Sequence, residues 1–232
     1  MSFFTLRGRP TVATAFQGVP EFALPGQHAF LFGLLTASVR KGACVVDLGS
    51  GFGAWARRLA SGGFDVTACD IDPERCEIDC LKIDLNEPFA ETIGQTADAV
   101  TCIEVLEHVE NPRHVLREAA KLLKPGGLLL LSTPNASGLH SRAKFLATGR
   151  FAMFDDGHYD RIGHIRPITW WELDKMLQET GFRTVSTRFY DHPGKLPRTL
   201  GDIAKLLLTA VLKPLLRGTA GGQVLIVLAA RP

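Results

Sequence analysis

With 232 residues, 46% of them hydrophobic and 22% charged, the chain has the makeup of an ordinary globular domain with room for a full core. A formal charge of +2 gives no preference for polyanions, so nucleic acid is not suggested, and no uninterrupted apolar run is long enough to span a bilayer. Five cysteines, an odd number, lie mainly in or beside apolar strands (Cys44, Cys69, Cys102) and read as reduced, buried thiols. No apolar core of signal-peptide length precedes Arg7, Arg9 and Pro10, so the expected compartment is the cytosol.

One domain over residues 1–232 is expected, with 1–40 as an N-terminal segment and helix. Residues 1–25 are Gly- and Pro-rich and irregular, and Gln27–Val39 reads as a helix with Phe30, Leu31, Leu34 and Leu35 on one side. Cys44–Asp47 is the first strand, and Ala54–Ala60 a helix stopped by Gly62 and Gly63. Phe64–Cys69 is a second strand ending in Asp70, Cys80–Ile83 a short third ending in Asp84, and Ala99–Ile103 a fourth. Cys76 and Cys80 are spaced to share a helical face, which alone is a weak metal signal.

Asn111 as N-cap with Pro112 at the first helical position opens a helix to about Leu123. Lys124-Pro125-Gly126-Gly127 is then a stop and turn before a fifth strand, Leu128–Ser132. Residues 134–168 carry no clear period but are rich in polar, aromatic and basic groups, the makeup of a lid, an acceptor-binding loop or short helices. Within them, His158, Tyr159, Asp160, Arg161 and Arg166 form a polar cluster suited to an anionic or hydroxylated ligand. Thr169 and Glu172 form a capping box with Ile168 and Leu173 as hydrophobic staple, and that helix ends at Gly181. Thr184–Phe189 and Val224–Ala229 close the sheet. Between them, 196–220 is an insertion whose apolar stretch Ile203–Leu216 is amphipathic; it suits packing, with membrane-surface contact the second reading. Strands alternating with helices at this spacing imply an α/β fold, a Rossmann-like doubly wound sheet of seven mostly parallel strands with helices on both faces.

The densest signal is CVVDLGSGFG, residues 44–53. A β-branched run ends in Asp47 and breaks into Gly49, Gly51 and Gly53 before a helix, so the backbone turns tightly and a ligand can approach at the carboxyl end of a strand. The dinucleotide fingerprint needs its third glycine where Ala54 stands, and no Gly-Lys-Ser/Thr follows, which excludes a P-loop. Asp47 ahead of the glycines would repel a pyrophosphate but suits a ligand with an ammonium group. Asp70, closing the second strand, is placed to accept hydrogen bonds from ribose hydroxyls.

Asp47-Leu48-Gly49-Ser50-Gly51-Phe52-Gly53 resembles motif I of class I S-adenosylmethionine (SAM) dependent methyltransferases. TCIEVLEHVENP, LLKPGGLLLLSTPN and GHIRPITWWELDKMLQETGF are similar to the branch typified by ubiquinone-pathway O-methyltransferases, over roughly residues 40–190. The resemblance implies SAM as methyl donor, Asp84 near the adenine amino group, Ile71 and Leu85 flanking the adenine, and Glu104 touching the donor. The acceptor it implies is a small hydroxylated molecule such as a sugar or a quinone or lipid precursor, with His108 or His164 as general base. Oligomeric state is not implied.

Glu104, Glu107 and His108 fall at i, i+3 and i+4, sharing one face if the segment is helical. Similar Glu-x-x-Glu-His sets, with a later histidine at the position of His164, bind a divalent metal in small-RNA 3′-terminal methyltransferases. The expectation here is chemistry without a metal; the alternative is a site of Glu104, Glu107, His108 and His164 acting on an RNA ribose 2′-hydroxyl. A SAM-binding subunit without catalysis is the alternative of another class.

Overall fold

The computed structural model describes residues 14–191 and 221–232. The stretch Ile203–Leu216 lies outside the described residues. Two short strands, β1 (Ala15–Phe16) and β2 (Val19–Pro20), form a hairpin whose turn residues Gln17 and Gly18 both have positive φ, the twist two-residue hairpins need. Helix α1 (Gln27–Thr36) leads to β3 (Cys44–Leu48), α2 (Ala54–Ser61) and β4 (Asp65–Asp70). After β5 (Cys80–Lys82) and α3 (Ala90–Ile93) come β6 (Ala97–Ile103), α4 (Pro112–Leu122) and β7 (Leu123–Pro134). Helices α5 (Leu139–Thr148), α6 (Asp156–Ile162) and α7 (Trp170–Glu179) precede β8 (Arg183–Tyr190) and β9 (Val224–Ala230).

The seven-stranded sheet runs β5-β4-β3-β6-β7-β9-β8. Its first five strands are parallel, and β9 is antiparallel to both neighbours. Side chains alternate between two cores, as a sheet buried on both faces requires. Val46, Val100, Leu129, Leu131 and Val227 face α4 and α7 through Leu116, Leu122, Leu173 and Leu177. Val45, Ala99, Leu130 and Ile226 face α1 and α2 through Leu31, Leu35, Trp55 and Leu59. The doubly wound expectation holds, and β3 sits where the strand order reverses, with its carboxyl end at the crevice such sheets use for ligands.

Several local expectations change. The Lys124–Gly127 turn does not end one element and start another: Ala97 pairs with Leu123 and Ala99 with Leu128, so the four residues bulge from one continuous strand. Only a single 3₁₀ turn, Pro73–Arg75, follows β4, and the chain is already extended at Cys76, so Cys76 and Cys80 share no helix face. The aperiodic 134–168 segment contains α5 and α6, whose composition hid them. In α1, Leu31 and Leu35 are buried but Phe30 is exposed against Tyr190. At α7 the box forms as expected: Thr169 Oγ1 accepts the Glu172 N–H at 3.2 Å, and Ile168 and Leu173 are buried. No helix among the described residues is long and apolar enough to cross a membrane.

Candidate active site

The donor side begins at Asp47. It is buried between β4 and β6, and both carboxylate oxygens are engaged: Oδ2 accepts from Ser50 Oγ at 2.7 Å and Oδ1 from Thr101 Oγ1 at 2.7 Å. Burial pushes its pKa up to about 7 against the pull of those two hydroxyls. Asp47 thus braces the turn from below. Gly49 and Ser50 both donate backbone N–H groups to the Cys69 carbonyl, at 2.8 and 2.9 Å, locking the turn to β4. Gly49 has φ 72°, and a Cβ there would stand 2.6 Å from Val105 Cγ2. Gly53, at φ 86°, would place a Cβ 2.8 Å from Cys76 Sγ, whereas Gly51, at φ 55°, faces open space. The turn is packed on two sides and open on the third.

Asp70 closes β4 and reaches back to the turn, accepting the Gly51 N–H at 2.8 Å on Oδ2 and the Asp72 N–H at 3.0 Å on Oδ1. Its pKa is raised by burial. Ile71, beside it, is 41% exposed, an apolar platform at the strand ends. Leu85 is buried in the core. Asp84 is exposed, and its Oδ1 accepts the backbone and side-chain N–H groups of Asn86, which makes it a turn former in this structure.

The acceptor side departs from the helical expectation. Glu104 is the first residue past β6 and has φ 53°, so no helix starts there. A 3₁₀ turn, Leu106–His108, follows, and the i, i+3, i+4 face does not form. Glu104 Oε1 is instead held by Gln27 Nε2 at 3.0 Å and Ser132 Oγ at 2.7 Å, and burial raises its pKa against those two donors. Glu107, His108 and His164 do come together, with one ligand-type atom from each within 4.8 Å of the others. His108 Nδ1–H donates to the Gly163 carbonyl at 3.0 Å and His164 Nδ1–H to the Met153 carbonyl at 2.9 Å. Carbonyls only accept, so both Nε2 lone pairs are left free for the cluster. The two rings meet edge to face, their centroids 4.8 Å apart.

Glu107 is 0% exposed; Oε2 accepts from Thr133 Oγ1 at 3.0 Å, while the buried Oε1 has no hydrogen-bond partner. Burial, reinforced by Glu104, holds its pKa well above the carboxylate range. Burial also lowers the pKa of His108, and brings that of His164 to about 4, so both rings are neutral near pH 7. Beside His164 opens a groove of about 320 Å³ lined by Arg150, Phe151, Phe154, Tyr159 and Ile165 among others. Of the polar cluster, His158 is tied to Asp155 at 2.6 Å, Arg161 Nε to the Gly157 carbonyl at 2.8 Å and Arg166 Nη2 to the Glu110 carbonyl at 2.8 Å. Thr101, Ser132 and Thr133 escaped the sequence reading, although polar residues near the carboxyl ends of apolar strands were the available signal.

The model of a family described as a methyltransferase domain matches residues 26–187. The chain belongs to the class I SAM-dependent methyltransferase family. It is similar to a ubiquinone biosynthesis O-methyltransferase of Xanthomonas oryzae pv. oryzae, 41% identical over 105 residues, 40% of this chain and 44% of that protein. To the enzyme of the same name from Aliivibrio fischeri it is 34% identical over 151 residues, 60% of this chain and 63% of that one. The chain therefore spans less than two thirds of these curated relatives. A SAM-dependent methyltransferase structure from Archaeoglobus fulgidus shares the fold, with TM-score 0.60 and 19% identity over 89% of this chain and 96% of that one. SAM is the methyl donor of this family. The open face of Gly51, with the carboxylates of Asp70 and Glu104 on either side of β3, fits a ligand carrying ribose hydroxyls and an ammonium group.

Proposed function

We propose that the domain transfers a methyl group from SAM to a hydroxyl of a small acceptor, with Gly49, Gly51, Gly53, Asp70, Ile71 and Glu104 holding the donor. The observation that carries the acceptor assignment is the juxtaposition of Glu107, His108 and His164 beside the groove under α5 and α6. When bound, SAM supplies an electrophilic methyl on a sulfonium. The protein's task is then to align an acceptor oxygen behind that methyl and to remove its proton. Two imidazoles, each with Nε2 free and Nδ1 fixed on a carbonyl, are oriented for that proton. Residues 134–168 form the cover under which a hydroxylated acceptor of the sugar, quinone or lipid-precursor kind would lie.

A second reading is favoured by one specific observation, the orphaned Oε1 of the buried Glu107. A carboxylate buried without a partner is costly unless a cation or a proton meets it. Glu107 and the two Nε2 atoms would hold a divalent cation, which supplies Lewis acidity that makes an acceptor hydroxyl easier to ionise. The carbonyls of Gly163 and Met153 are the outer hydrogen-bond acceptors such histidine ligands use. Glu104, bound to Gln27 and Ser132, stands outside this trio.

Turnover of labelled SAM against a panel of catechols, sugars and an RNA 3′-end, with and without chelator, tests both readings. O-methylation of a small acceptor is expected. Activity that survives exhaustive chelation assigns the proton to His108 or His164 alone. Activity lost to chelator and restored by Mn²⁺ or Mg²⁺ assigns it to the cation site, and methylation of the RNA alone would replace the acceptor class.

A further inference from the structure

Gln27 opens α1, a position where glutamine side chains ordinarily reach water, yet it is fully buried. Its Oε1 accepts the Leu24 N–H at 3.0 Å, which fixes the amide's orientation, so the Nε2 donors must point the other way. There they reach Glu104 Oε1 at 3.0 Å and Ser132 Oγ at 3.2 Å, while Ser132 Oγ donates to the same Glu104 oxygen at 2.7 Å. Glu104 is itself held at φ 53°, a left-handed backbone state that persists in a non-glycine residue only where neighbours over-determine it. Its other oxygen, Oε2, has no hydrogen-bond partner among the described residues.

Sheet order places Glu104 relative to a bound donor. β3 lies between β4 and β6, so a donor laid across the end of β3 has Asp70 on one side and Glu104 on the other. With ribose hydroxyls at Asp70, the amino-acid end of the donor extends toward β6, and its ammonium is the group a carboxylate there would take. We propose that Gln27 is a positioning residue of the donor site, holding the Glu104 carboxylate so that its free oxygen accepts the donor's ammonium group. A leucine could fill the same volume but could not donate to Glu104, and a glutamate would oppose it with a like charge. The inference rests on the donor assignment alone and is independent of the acceptor.

The test compares two ligands by calorimetry. S-adenosylhomocysteine carries the ammonium; 5′-methylthioadenosine shares the nucleoside and thioether but lacks it. Wild-type binding of S-adenosylhomocysteine is the control for the donor assignment itself. Gln27→Leu should weaken S-adenosylhomocysteine about tenfold, the scale of one charged hydrogen bond, and leave 5′-methylthioadenosine unchanged. Glu104→Gln should reproduce that selectivity, and the double variant should add little to either single one. If Gln27→Leu loses both ligands equally, the near-isosteric Gln27→Glu decides: selective loss of S-adenosylhomocysteine upholds the assignment, and equal loss or none overturns it. Unchanged S-adenosylhomocysteine affinity in Gln27→Leu overturns it directly.

Discussion

The donor side of the site is built around one continuous stretch, residues 47–53, clasped to the next strand by backbone hydrogen bonds, whereas the acceptor side brings Glu107 and His108, from the turn after β6, against His164, from the segment after α6. On the donor side the chemistry lies in backbone geometry: three glycines at positive φ and a carbonyl of Cys69 that takes two N–H groups. On the acceptor side it lies in side chains, and their meeting depends on Gly163 and Met153 presenting carbonyls to His108 and His164. At Gly49 and Gly53 the backbone-built side tolerates almost no added volume. A site made of side chains tolerates backbone change but fails when a single functional group is lost.

The largest expected effect is on the pH dependence of stability, and it separates the two sides through Asp47. Its carboxyl, ordinarily near 3.8, titrates at about 7 in the folded protein. A raised folded-state pKa means the contribution is fully present below the unfolded value and is lost as pH rises through about 7. Between pH 4 and 8 the wild type should therefore lose on the order of 4 kcal/mol relative to Asp47→Asn. Chemical unfolding at both pH values checks this; parallel curves for the two proteins would remove Asp47 as the cause.

Next comes the contrast between two glycines. Gly49→Ala combines a left-handed backbone with a contact 2.6 Å from Val105 Cγ2, together about 3 kcal/mol, read as lost stability or as S-adenosylhomocysteine affinity down about a hundredfold. Gly157, in α6 of the acceptor side, meets nothing closer than 3.5 Å, and Gly157→Ala should change stability by no more than about 1 kcal/mol, in the stabilising direction. Equal effects at the two positions would erase the distinction drawn above.

On the acceptor side, under the cation reading, millimolar Mn²⁺ should stabilise the wild type by up to about 2–3 kcal/mol and Glu107→Gln by far less. Melting curves across a titration measure it, and a flat wild-type response would favour the histidines acting without a cation. The smallest effect expected is at Asp70. Asp70→Ala should weaken S-adenosylhomocysteine by about 1–2 kcal/mol, because ribose hydroxyls and the Gly51 N–H both lose an acceptor. Glu77, tied to the same loop only through its backbone, is the control, and Glu77→Ala should leave affinity unchanged.

The sequence by itself determined the sheet, the glycine turn and the strand-end acids, because each is a local pattern. Continuous apolar strand runs, positive φ at glycine and a capping box at Thr169 are all decided within a few residues. It also named Glu104, Glu107, His108 and His164 as an alternative metal set, through a helix that does not form, and the structure brings together all but Glu104. Tertiary structure alone decided three things. The left-handed Glu104 turned its carboxylate away from that trio and toward Gln27 and Ser132. Asp84, alike in sequence to Asp70, ended exposed and bonded to Asn86, because β5 is a short edge strand that stops before it. The fully buried Gln27 gained its role from a contact with a residue distant in sequence. Such partners leave no periodicity in the chain: a hydrogen bond between distant residues depends on how the intervening elements pack, and that is settled only when the whole sheet has closed.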